Sequence, residues 1–200
     1  MLSDVFVSAL GTGFLTVTSS GVVREHDSTG ACTATVTNLS ADWQGQYGME
    51  EGPIDAAGRT LGGVKAGGYY VLLVQWLDGT RHLYRWAASG GNALQSVSVP
   101  AYQAIGVTED ASAVLCAYHV SSKVTIVERS ASTLAVVKTV TNAVTAASTS
   151  PVAAVARRTP TLYVTGVAGA GMLRFTDSTG ADRSEFEVAQ AGSVLAGYGY

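Results

Sequence analysis

Apolar residues in this chain come in short runs, broken at close and regular intervals by Gly, Ser, Asn and Asp. The stretch FLTVTSSGVVREHDSTGACTATVTN, residues 14–38, reads as a strand, a Ser-Ser-Gly turn, a strand, a polar corner (Asp27-Ser28-Thr29-Gly30-Ala31) and a third strand. Residues 69–100 repeat the plan, with Asp78-Gly79 as the first turn and AASGGN as the second. Residues 113–142 repeat it with VSSK and RSAST, and residues 161–189 with GAGM and a second DSTGA at 177–181. Turn centres within a copy lie about nine or ten residues apart, a strand plus half of each turn. The pentapeptide recurs because the same corner recurs: the Asp side chain caps the turn and Gly supplies a positive φ.

The second copy carries the clearest physics. A two-residue Asp78-Gly79 hairpin places Trp76 opposite Arg81 and Leu73 opposite Tyr84. One face then holds Val71, Leu73 and Gln75 with His82, Tyr84 and Trp86. The other holds Leu72, Val74 and Trp76 with Leu83. Both faces are apolar, so both must be covered. A short further strand precedes most copies, in DVFVSA (4–9), AIGVTE (104–109) and PVAAVA (151–156). Four strands in roughly 40–48 residues match the period of a propeller blade. The expected fold is therefore all-β, a β-propeller-like array of about four antiparallel four-stranded blades in a single domain over 1–200. A β-sandwich built from the same meanders is the alternative.

The 161–189 copy resembles a YVTN-type β-propeller repeat, in which a Tyr-Val-Thr strand leads to an Asp-led polar turn and a closing strand. Tyr163-Val164-Thr165 and Asp177 carry the resemblance, while Gly166 stands where that outline has Asn. The other copies match in pattern only. The resemblance implies a fold and little chemistry.

Composition narrows the function classes. Hydrophobic content is 47% and charged content only 14%, with a net charge of −3 and no basic stripe, which argues against nucleic-acid binding. No apolar run approaches the roughly 18 residues that span a bilayer. The start MLSDVFVSALGTGFL lacks the layout of a signal peptide, so the expected location is a virion or the cytoplasm at synthesis. Cys32 and Cys116 read as two buried thiols rather than a disulfide.

Site candidates are few. Residues 39–68 break the spacing as a loop-like insertion carrying Trp43 and Tyr47 with Gln44, Gln46, Glu50 and Glu51. Such an aromatic-plus-polar set anchors a partner or a sugar ring; the alternative is that the two rings cap the core. His26, His82 and His119 fall in separate copies, so no shared metal is expected. Glu109-Asp110 and the pair Glu185 and Glu187 have no evident carboxylate partners for glycosidase chemistry, and Arg157-Arg158 reads as an exposed loop able to form rim salt bridges. LGGVKAGG (61–68) and GVAGAGM (166–172) read as hairpin or linker glycines rather than phosphate loops.

With no catalytic constellation and no cofactor implied, the leading expectation is a non-enzymatic structural or interaction protein, such as a phage tail or capsid component. Its partners would be other protein subunits, further copies of the chain included. A carbohydrate- or ligand-binding propeller is the alternative. The apolar, uncharged stretch GSVLAGYGY (192–200) is expected to pair with the first unit or with a neighbouring subunit's sheet.

Overall fold

The computed structural model describes residues 2–7, 13–18, 22–38, 58–76, 79–88, 95–120, 123–141, 151–167 and 172–187. Among them are sixteen strands and no helix, arranged as four antiparallel four-stranded sheets. Each sheet is a meander. Sheet 1 holds β1 (Leu2–Val7), β2 (Gly13–Thr18), β3 (Val22–Asp27) and β4 (Cys32–Asn38), and sheet 2 holds β5 (Gly58–Ala66), β6 (Tyr69–Trp76), β7 (Arg81–Ala87) and β8 (Gln95–Val99). Sheet 3 holds β9 (Ala104–Val107), β10 (Ala113–Val120), β11 (Lys123–Ser130) and β12 (Val136–Thr141). Sheet 4 holds β13 (Val152–Thr159), β14 (Leu162–Val167), β15 (Met172–Asp177) and β16 (Asp182–Glu187). The chain divides into two compact units, Met1–Pro100 with sheets 1 and 2, and Ala101–Tyr200 with sheets 3 and 4.

Both faces of the central strands are dry. Val71, Leu72, Leu73 and Val74 point alternately to opposite faces of sheet 2, and none has accessible surface. The same holds for Val114, Leu115, Cys116 and Ala117 in sheet 3. Each large apolar side chain buried in this way contributes about 1.5–3 kcal/mol.

Two sequence expectations are corrected. The β6–β7 hairpin pairs Gln75 with Arg81, Leu73 with Leu83 and Leu72 with Tyr84, one residue out of the two-residue register. An odd number of residues joins the last paired positions, and a one-residue slip exchanges faces. Leu72 and Val74 therefore share a face with His82 and Tyr84, and Val71 and Leu73 share one with Leu83 and Arg85. Burial on both faces survives the exchange.

The second correction concerns the insertion at 39–68. Its last part is β5, the opening strand of sheet 2, joined to β6 by the Gly67-Gly68 turn. A register shift between Thr60 and Gly62 bends β5 and removes the simple alternation that marks a strand in sequence.

In the second unit, sheet 4 packs on sheet 3. Leu115, Ala117, Val124 and Ile126 form one cluster with Val155 and Tyr163. The two sheets approach closely at Gly106, where a Cβ would lie 1.9 Å from the Val155 carbonyl oxygen. Only a residue without a side chain lets β9 and β13 meet there. Gly106→Ala is expected to destabilise the protein by at least about 1–3 kcal/mol. Urea unfolding checks this, and an unchanged midpoint would contradict the close approach.

Candidate functional site: polar junctions within and between sheets

The polar side chains with well-formed geometry fasten corners and sheet junctions. The two DSTGA corners are alike in detail. Asp27 Oδ1 accepts from the Thr29 backbone N–H at 2.8 Å, the Thr29 hydroxyl at 2.6 Å and the Ala31 N–H at 3.0 Å. Asp177 Oδ1 makes the same three bonds at the same distances to Thr179 and Ala181. Gly30 and Gly180 close the corners at φ 90° and 91°. The Thr179 hydroxyl is the main cause that holds the Asp177 carboxyl below its ordinary 3.8, and Arg183 adds an ion pair. The Thr29 hydroxyl lowers Asp27 in the same way.

In the first unit, Glu25 of β3 reaches sheet 2. It accepts a hydrogen bond from the Tyr70 hydroxyl and sits 3.5 Å from Lys65 Nζ, and Lys65 lies 5.1 Å from the centre of the Tyr70 ring. Lys65 and Tyr70 are cross-strand partners, so one register position supplies both. Burial, then Glu25, pushes the Tyr70 hydroxyl above its ordinary value and keeps it a donor.

The second unit has a larger junction around Arg157 of β13. Its Nε donates to Glu109 Oε2 at 2.6 Å, and its Nη1 donates to both oxygens of Glu128 at 3.0 and 2.9 Å. Asp110 Oδ1 lies 3.8 Å from Nη2, and the Tyr163 hydroxyl donates to Glu128 Oε2 at 3.2 Å. Burial alone would pull the Arg157 guanidinium down, but the carboxylates of Glu109 and Glu128 hold it above its ordinary value. Gln103 adds a second fastener, because its Oε1 accepts from the backbone N–H of His119 in sheet 3 and of Val152 in sheet 4, at 3.1 and 3.0 Å. Arg129 is consumed within sheet 3. Nε and Nη2 donate to the Tyr102 hydroxyl at 3.1 and 2.9 Å, and Nη1 donates to the carbonyl of Leu134, itself held at φ 58°.

The proposed partner-binding residues Trp43, Gln44, Gln46, Tyr47, Glu50 and Glu51 lie outside the described residues, as do residues 192–200. Side chains of Glu185 and Glu187 are likewise undescribed. The three histidines sit in three sheets. His26 stacks on Phe14 at 4.9 Å and bonds the Gly30 carbonyl and the Thr16 hydroxyl. A carbonyl only accepts, so Nδ1 carries a proton and donates it to Gly30.

Two site expectations are corrected. Arg157 lies in a strand and is largely buried, because paired carboxylates compensate its charge. Cys32 is exposed rather than buried, at the open edge of the first corner. Cys116 is buried, and burial pushes its thiol up to about 12. The junction at Arg157 escapes a sequence reading because its carboxylates come from segments far apart in the chain. The one local signal is a charged residue inside the apolar run VAAVARR.

No protein-family model matches the sequence, and no curated protein is significantly similar to it. Solved structures do match its fold. A structure of the mitotic checkpoint complex aligns with a TM-score of 0.56 at 14% identity, over 98% of this chain and 53% of that one. U3-55K aligns at 0.53 and 12%, over 87% and 48%. The WD40 repeats of RRP9 align at 0.53 and 12%, over 87% and 47%. At such identities the likeness concerns fold alone, and that fold is the β-propeller repeat. This chain spans about half the length of each matched structure.

Two outcomes are expected. Arg157→Ala leaves Glu128 buried without its cation and should cost roughly 3 kcal/mol, read by urea unfolding. No loss would remove the junction's structural role. For Asp177, a carboxyl depressed in the folded state contributes stability above its ordinary value, and this is lost as pH falls through the folded value. Asp177→Asn should therefore melt below the wild type at pH 7, with the gap closing under acid. A gap constant across the acid range would contradict the assignment.

Proposed function

We propose that this chain is a non-enzymatic interaction scaffold that works as a subunit of a larger protein assembly. The observation that carries the reading is the employment of the polar groups. Arg157, Glu109, Glu128 and Tyr163 in one unit, and Glu25, Lys65 and Tyr70 in the other, are committed to holding sheets together. Units fastened internally in this way suit presentation of their loops and edges to other proteins. The low charged content of 14% leaves a surface better matched to neighbours than to solvent.

Likeness to a chain of the mitotic checkpoint complex, a protein assembly by its name, favours the same reading. Within the propeller class we read the repeats as YVTN-type, on Tyr163-Val164-Thr165 and the Asp177 corner. The assembly we favour is a particle such as a phage tail or capsid, for which an Ala- and Val-rich chain poor in charge is suited.

The test is gentle cross-linking in the native source followed by gradient sedimentation. The chain should migrate far above its own 20.5 kDa, with other protein subunits at fixed stoichiometry. Migration with no other protein would overturn the reading.

A further inference from the structure

Strand register aligns the four sheets with one another. Each second strand begins opposite the last residue of its third strand: Gly13 opposite Asp27, Tyr69 opposite Ala87, Ala113 opposite Ser130 and Leu162 opposite Asp177. Counted from that common point, two positions carry the junctions between sheets. Two residues before the end of the third strand stand Glu25 in sheet 1, Arg85 in sheet 2, Glu128 in sheet 3 and Phe175 in sheet 4. The second residue of the second strand, with its partner on the first strand, is Phe14 with Val7, Tyr70 with Lys65, Val114 with Val107 and Tyr163 with Arg157. Sheets 1 and 3 are therefore alike, with an apolar pair and a Glu. Sheets 2 and 4 are alike in having a Tyr–cation pair and no Glu.

The contacts follow the same alternation. Tyr70 donates to Glu25, and Lys65 lies 3.5 Å from the same carboxylate. Tyr163 donates to Glu128 at 3.2 Å, and Arg157 donates to both Glu128 oxygens. Lys138, the cross-strand partner of Glu128, lies 5.9 Å from the centre of the Tyr163 ring and adds to the positive side. At both junctions, then, a Glu receives a Tyr hydroxyl and a cation from equivalent strands. Arg85 can receive neither. It is 9% exposed, donates to Gln95, lies 4.5 Å from the centre of the Tyr69 ring and meets no carboxylate among the described residues. A second cation set against it would be repelled with little water to screen the charge, and a Tyr hydroxyl would find no acceptor. Phe175 offers no acceptor either.

We infer that the chain is two copies of one two-sheet module, Met1–Pro100 and Ala101–Tyr200, and that the residue two places before the end of each third strand decides which sheet that face accepts. The face bearing Glu25 or Glu128 fits a sheet that presents a Tyr and a cation at paired positions of its first two strands. Arg85 and Phe175 refuse such a sheet, so a latched pair is not extended by a third sheet of the same kind. Refusal counts as much as attraction here, because faces built from Ala, Val and Leu would otherwise pack in more than one order. The inference goes beyond the scaffold reading and rests on strand register and on contacts within each module.

The test is hydrogen exchange of the full 200-residue chain, read separately for each sheet. Glu25→Lys sets a cation against Lys65 and takes the acceptor from Tyr70, so amides of sheets 1 and 2 should exchange at least about tenfold faster. Adding Lys65→Glu restores a charge pair with the signs exchanged, and most of that protection should return. In the second module, Glu128→Gln keeps an oxygen for the Tyr163 hydroxyl and should raise exchange in sheets 3 and 4 modestly. Glu128→Arg, the residue that sheet 2 carries at this place, should raise it at least about tenfold beyond Glu128→Gln, or prevent folding where Glu128→Gln allows it. Protection that Lys65→Glu fails to restore overturns the inference. So does a Glu128→Arg chain that exchanges no faster than Glu128→Gln. Neither result involves other subunits, so the co-sedimentation test of the scaffold reading is decided separately.

Discussion

A β-sheet with large apolar side chains on both faces cannot leave either face in water, and the rest of this structure follows from that constraint. Consecutive residues such as Val71 to Val74, or Val114 to Ala117, reach opposite faces and are all buried. A single meander of this kind has no stable existence alone. It needs another layer on each side, and the economical source of layers is repetition of the same meander. Four sheets with one strand order, 1-2-3-4 in each case, are the outcome.

Close packing then dictates where polar groups go. Strand backbones satisfy their own hydrogen bonds, but the side chains at a junction between sheets lose water and must find partners. Arg157 finds Glu109 and Glu128, Tyr163 shares Glu128, and Gln103 takes backbone N–H groups from two sheets at once. In the other unit Glu25 meets Tyr70 and Lys65. These contacts specify which face meets which and at what register. The apolar cluster around Leu115, Ile126 and Tyr163 supplies the larger share of the stabilisation. The functional reading rests on this division of labour: the conspicuous charged groups are spent inside the body, which leaves its edges and loops for other molecules.

Much of this was legible in the sequence, and the limits have physical causes. The corners were readable because Asp, Thr and Gly act locally, within five residues, and identical letters gave identical bonds at Asp27 and Asp177. Two-faced burial was readable from the absence of polar alternation in YYVLLVQW. Register was not, since Asp78-Gly79 marks a turn without fixing how many residues the connection holds, and one residue exchanges the faces of β6 against β7. Strand β5 was hidden by Gly62 and Gly63, which blank out the alternation at a bulge. The partners of the Arg157 junction were hidden because Glu109, Glu128 and Tyr163 come from separate segments of the chain, a relation that exists only after two sheets have packed. The expectations for Trp43 and Tyr47 fall outside the described residues, so the chemistry of that stretch stands where the sequence left it.

The most direct measurement of the central claim is a cysteine scan through Val71, Leu72, Leu73 and Val74, one position at a time in a Cys32→Ser background, read as thiol labelling under native conditions. Burial on both faces predicts that all four positions are protected alike, releasing label only on global unfolding. Alternating fast and slow labelling along the strand would mean that one face is wet, and would contradict the account.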